Sequence, residues 1–120
     1  MSNQGNVAVT TGDGTVYLTT SRCGGHSTAK TAQDNLVRLG DGSFEECTSL
    51  NWLSHDPRIS RPIPRLGNTD TPTVYVDWLS QEVSWVEEHT QKRLGTWTFV
   101  EYVDLDLKAV PGYMEKFENS

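Results

Sequence analysis

Residues 5–21, GNVAVTTGDGTVYLTTS, carry two runs of period two on either side of Gly12-Asp13-Gly14. Val7, Val9 and Thr11 alternate before the turn, and Val16, Leu18 and Thr20 alternate after it. Gly and Asp tolerate the positive φ of a tight turn, so the segment predicts an antiparallel β-hairpin. A chain of 120 residues that opens on a hairpin is steered away from a doubly wound sheet, whose parallel strands need helical crossovers.

The hairpin decides how the next segment is read. In RCGGHSTAKTAQDNLVRLG, residues 22–40, Gly24, Ala29, Lys30 and Thr31 follow the G-x-x-x-x-G-K-[ST] pattern with Ala29 in place of the second glycine. That pattern binds phosphate through curled backbone N–H groups, with Lys on the terminal phosphates and Ser/Thr on magnesium. Asp77, ending the apolar run TVYVD, looks like the residue that holds magnesium water in such enzymes. Ala29 adds a Cβ where the backbone must be unhindered, and the preceding strand belongs to a hairpin. The segment therefore reads as a turn leading into an amphipathic helix from Ser27 or Thr28 to Leu39. Ala29, Ala32, Leu36 and Leu39 form its stripe and Gly40 its stop.

Further along, DGSFEECTSLNWL (41–53) reads as turn then strand, and residues 54–72, with four of the five prolines, as one long loop. TVYVDWL (73–79) predicts a strand with Val74, Val76 and Trp78 on one face. Residues 81–94 read as a helix with Ser80 as N-cap, Val83, Val86, Thr90 and Leu94 as its stripe, and Gly95 as C-cap. A strand over 83–90 is the rival, since Val83 and Trp85 also alternate. TWTFVEYVDLDL (96–107) reads as a strand, and a short helix from Pro111 places Tyr113, Met114 and Phe117 on its apolar side. Together these predict one α+β domain over residues 1–120: an antiparallel sheet of four or five strands, begun by the hairpin, with two or three helices packed on one face.

Charge separates by half. Residues 1–65 hold six Lys/Arg and six Asp/Glu, whereas residues 66–120 hold four against ten, so the second half carries the whole net charge of −6. Nucleic acid is disfavoured as a partner, because phosphate contacts need clustered Lys and Arg, and a basic protein partner is favoured. The N-terminal residues lack the pattern of a secretory signal, and no apolar run approaches the roughly 18 residues of a membrane span. The expectation is a soluble cytoplasmic protein, with no membrane partner and with a homodimer compatible.

Four candidate constellations remain. Cys23-x-x-His26 has metal-ligand spacing, but Cys47 and His55 are too far apart to form a second pair, so no metal site is expected. Cys23 near a helix N-terminus, with His26, is the arrangement of an activated thiol. Glu101, on the same face as Trp97, Phe99 and Val103 if 96–107 is regular, would be a carboxyl in apolar surroundings suited to general-acid work. A bulge near 100–102 that turns it to water is the preferred reading, since unpaired carboxylates are rarely buried. Asp104 and Asp106 share a strand face, and DLDLKAVPGYME imitates a calcium loop but has Lys108 and Ala109 where a ligand and the glycine belong.

No constellation converges as an active site must. The reading is a small acidic interaction or inhibitor-type protein without cofactor, using Glu82, Glu87, Glu88, Asp104 and Asp106, or the extended loop bearing Arg58, Arg61 and Arg65. The alternative is a small hydrolase or transferase built on Cys23/His26 or Glu101, or a degenerate phosphate loop at Gly24–Thr31.

Overall fold

The computed structural model describes residues 5–10, 16–21, 27–39, 58–60, 71–87 and 90–118, with 16–21, 39, 58–60 and 118 as backbone alone. Strands β1 (Gly5–Thr10) and β2 (Val16–Ser21) pair antiparallel, Gly5 opposite Ser21 and Thr10 opposite Val16, as the period-two runs predict. Strand β3 (Arg58–Ser60) pairs antiparallel with the far side of β2, so the predicted loop over 54–72 contains a strand. The expected strand in 41–53 lies outside the described residues.

Strand β4 (Thr73–Asp77) runs parallel to β1, with Val7 beside Val74 and Val9 beside Val76. The sheet, in the order β3-β2-β1-β4-β5-β6, is therefore mixed and six-stranded, not antiparallel with four or five strands. The physical reason is the connection. After the hairpin the chain forms helix α1 (Thr28–Leu39), which packs on β1 and β4, before it returns along the free side of β1. Such an intervening helix is what allows a strand to come back parallel to its neighbour.

The helix expected over 81–94 is a hairpin instead. Strand β5 (Glu82–Glu87) pairs antiparallel with β4 and with β6 (Lys92–Thr98). Gln81 and Gln91, with φ of 59° and 56°, close the β4–β5 and β5–β6 turns in the left-handed region. A bulge between Trp85 and Val86 lets Trp85 face Gly95 and Val86 face Arg93, leaving Leu94 as the extra residue. Gly95 is thus a strand residue, not a cap. A Cβ there would lie 2.4 Å from the Trp97 ring, so only glycine lets that indole fold back over its own strand.

The strand expected over 96–107 stops at Thr98. Helix α2 (Phe99–Val103) follows, started by a capping box: Glu101 N–H donates to Thr98 Oγ1 (3.1 Å) and Thr98 N–H donates to Glu101 Oε1 (2.9 Å). A 3-10 turn (Leu107–Ala109) and a C-terminal π-helical turn (Met114–Glu118) complete the chain. Tyr113 and Phe117 of the predicted last helix are buried, whereas Met114 is turned outward.

One face of the sheet carries the core. Val7, Val9, Val74, Val76, Val83 and Trp85 meet Ala29, Ala32 and Leu36 of α1, Tyr102 of α2, and Leu107, Tyr113 and Phe117. Trp85, wholly buried, is the hub: Trp97, Tyr102, Tyr113 and Phe117 surround it with ring centroids 4.7–6.3 Å away. Tilted and edge-on contacts of this kind contribute about 0.5–1.5 kcal/mol per pair beyond the area buried.

Candidate functional site

The polar groups of Trp85, Tyr102 and Gln33 inside the core are tied into the fold, whereas the buried Asn6 Oδ1 and Thr73 Oγ1 have no hydrogen-bond partner among the described residues. Trp85 Nε1–H donates to Tyr102 Oη (3.1 Å), and the Tyr102 hydroxyl donates to the Ala29 carbonyl (2.8 Å), joining β5, α2 and α1. Burial holds the Tyr102 hydroxyl well above its ordinary proton affinity; the Trp85 hydrogen bond opposes this and nearby Tyr113 adds to it. Gln33 Nε2 donates to both Tyr102 O, which also accepts from Leu105 N–H (3.2 Å), and Leu105 O, each at 2.8 Å, and so ties α1 to the end of α2 and the segment after it.

The described residues line depressions outside the core, two of which hold charged side chains. One, of about 360 Å³, lies on the sheet face opposite the helices and is lined by Tyr75, Asp77, Glu82, Ser84 and Arg93, among others. Asp77 and Glu82 are cross-strand partners there, two like charges side by side. Asp77 Oδ1 is engaged by the N–H groups of Leu79 (2.8 Å) and Ser80 (3.3 Å), which fixes the turn. Arg93 stands toward the other end of β6 and donates to Thr96 Oγ1 (3.4 Å). The other depression, of about 340 Å³, lies between α1 and the segment after α2, with Lys30, Gln33, Asp106 and Lys108 in its wall. Lys30 pairs with Asp34 (3.1 Å) and donates to Gln33 Oε1 (3.2 Å).

The predicted contact residues fall in several places. Glu82 lies on the open face, half-buried beside Asp77. Glu87 ends β5 and pairs with Lys116 of the C-terminal turn (3.1 Å). Asp104 and Asp106 are exposed, but at the end of α2 and the start of the 3-10 turn rather than on one strand face. Arg58 lies on β3, whose side chains are outside the described set. Glu88, Arg61, Arg65, Cys23, His26, Cys47 and His55 lie outside the described residues. Among the described residues no three of His, Cys, Asp or Glu gather as metal ligands.

Glu101 is exposed and faces water, as the preferred reading has it, but through helix α2 rather than a bulge. Its carboxylate caps a helix and has no apolar enclosure. The strand leading to the phosphate-loop look-alike, β2, is antiparallel to both its neighbours, so the parallel setting of such loops is not built here.

Residue-type reasoning missed the corner where the β4–β5 turn meets α2. Trp78 and Phe99 pack edge to face there (4.8 Å), and Phe99 N–H donates to Gln81 O (2.9 Å). Leu79 and Val100, their chain neighbours, are 68% and 76% exposed. The signal for its second half was present: Thr98-Phe99-Val100-Glu101 has the T-x-x-E spacing of a capping box.

Compared with known protein families, curated proteins and solved structures, the chain matches none of them. Among the described residues no helix is long and apolar enough to cross a membrane.

Proposed function

We propose that this chain is a protein-binding module, of interaction or inhibitor type, that works through the acidic surface of its second half. The observation that carries this reading is a division of labour. Tyr102, whose hydroxyl is held by burial above its ordinary proton affinity, is locked in the core between Trp85 and Ala29. The carboxylates of Glu101, Asp104 and Asp106 stand exposed instead. An enzyme needs acids, bases and donors converging on one cavity. Carboxylates exposed on a short helix and the segment after it suit recognition of a basic protein, where charge speeds encounter more than it deepens affinity.

The test begins with the partner recovered from the native host and proceeds to stopped-flow association with the purified pair. Association slows steeply as salt rises while dissociation changes little, because exposed charges are screened within about 8 Å at physiological ionic strength. Reversing Glu82, Glu101, Asp104 and Asp106 to Lys lowers the association rate at least tenfold. Equal rates for that variant, or a partner bound only through the Arg58–Arg65 segment, overturn the acidic-surface reading.

A further inference from the structure

Resting on the reading of the chain as a protein-binding module, we infer that its contact surface is the corner formed by the β4–β5 turn and the start of α2. The partner it fits is a protein surface with an apolar side chain ringed by Lys or Arg. Exposed aliphatic side chains are ordinary when scattered singly. Here two of them, Leu79 and Val100, flank one aromatic pair, Trp78 and Phe99, which is itself only partly buried. The corner is held rigid by backbone bonds, Trp78 N–H to Thr10 O (2.7 Å) and Phe99 N–H to Gln81 O (2.9 Å), and by the Asp77 turn and the Thr98–Glu101 cap. Little ordering is therefore left to be done on binding, which is where much of the cost of association lies.

The charged residues of its two segments have one sign. Residues 77–82 and 98–104 contain Asp77, Glu82, Glu101 and Asp104 and no Lys or Arg. Glu82 is the cross-strand partner of Thr98, and Thr98 is hydrogen-bonded to Glu101, so two of these carboxylates flank one strand end. Lys92 and Arg93 start β6 at its opposite end, the Arg93 backbone about 17 Å from Thr98 at the usual strand rise. The Arg93 side chain reaches Thr96 Oγ1 (3.4 Å) and the depression that Asp77 and Glu82 share, on the sheet face rather than at the corner. An apolar centre with a charged rim is the common anatomy of a protein contact. A rim of carboxylates selects a basic partner, and it opposes a second copy of this corner, which would set like charges against each other.

The probe is an 18-residue helical peptide with leucines on one face and lysines elsewhere, titrated into isotopically labelled protein. Two controls accompany it: the same peptide with glutamates for lysines, and a lysine peptide of equal charge without leucines. Amide shifts concentrated in residues 77–82 and 98–104 are expected, saturating for the basic amphipathic peptide, with both controls at least tenfold weaker. The double variant Leu79→Ser, Val100→Ser weakens binding at least tenfold, whereas Val37→Ser, also at an exposed position, leaves it unchanged. Thermal unfolding of both variants verifies that each is folded.

Equal binding of the three peptides, shifts centred on Lys30 and Lys108, or an unaffected double variant overturns the assignment. A concentration-dependent dimer that the double variant abolishes would give the corner to a second copy instead, also against the proposal. The broader reading fails separately. If the native partner binds the double variant as tightly as wild type, the corner is wrong and the binding module stands; if the native host yields no partner, both fall.

Discussion

Ser84 and Trp85 are neighbours on β5, yet they face two different solvents. Trp85 points into the helix-covered side and is wholly buried among four other rings. Ser84 points to the opposite face, where its hydroxyl meets Thr96 Oγ1 (3.1 Å) at the rim of an open depression. The same alternation continues outward from β5. Val83 and Trp97 are cross-strand partners on the covered side, and Glu82 and Thr98 on the open side. Stability is concentrated on one face by apolar burial, which is non-directional and scales with area. The other face is left free to carry charge, and the corner at Leu79 and Val100, whose neighbours Trp78 and Phe99 pack on the edge of the core, exposes aliphatic surface for contact.

The contrast breaks most visibly by truncating the hub. Trp85→Ala removes the ring that four others pack on and deprives the Tyr102 hydroxyl of its donor, so it destabilises by about 3–5 kcal/mol. Ser84→Ala, one residue away, stays within about 0.5 kcal/mol. Urea denaturation of both checks the pair, and similar losses for the two would show that the faces are not divided as described.

A smaller effect comes from the hydroxyl at the junction of β5, α1 and α2. Tyr102→Phe leaves Trp85 Nε1–H and Ala29 O buried without that partner and costs about 1–3 kcal/mol at neutral pH. It also changes the alkaline limb. An unfolded tyrosine ionises near pH 10, while burial holds the folded Tyr102 well above that. The folded state therefore keeps a proton that the unfolded state loses. Its contribution is complete below about pH 10 and declines as pH rises beyond, by up to about 1.4 kcal/mol per pH unit. Tyr102→Phe should show a shallower decline than wild type above pH 10, and identical slopes would remove Tyr102 from the core network.

A milder loss than either core truncation is expected at the boundary between the two regions. Thr98→Ala removes the side-chain acceptor for Glu101 N–H at the start of α2 and costs about 1 kcal/mol. Because α2 carries both Tyr102 inward and Val100 outward, the loss also loosens the corner. Amide exchange in residues 99–103 should accelerate in this variant while exchange in β1 and β4 does not; uniform acceleration would mean that the cap serves the whole fold rather than the corner.

These differences also explain what the residues disclosed in advance. The β1–β2 pair was legible because two runs of period two flank residue types that favour a turn, and α1 because Ala29, Ala32 and Leu36 are spaced for one buried stripe. The β4–β5 and β5–β6 turns were not. Trp78-Leu79-Ser80-Gln81 of the first and Thr90-Gln91 of the second include no Gly, Pro, Asn or Asp, and Asp77, whose carboxylate fixes the first turn, stands at the end of the apolar strand pattern. Gln81 and Gln91 take the left-handed backbone that those residue types usually supply. Val83, Val86, Thr90 and Leu94 meanwhile sit at helical spacing by coincidence, and long-range pairing with β4 overrides it. The parallel β1–β4 pair depends on where the chain returns after α1, which no local pattern records. At the site, the carboxylates were visible as a charge excess in the second half, but their sorting was not. Only the fold separates Glu87, paired with Lys116, from Glu82 beside Asp77, and only the fold packs Trp78 on Phe99, the chain neighbours of the exposed Leu79 and Val100.

Hydrogen–deuterium exchange on the chain alone and saturated with its native partner tests most directly whether the working surface is this corner. The account predicts new protection in residues 78–82 and 98–104, with α1 and β1 exchanging as they do in the free protein. Protection confined to α1, or to the Arg58–Arg65 segment, with the corner unchanged, would contradict it.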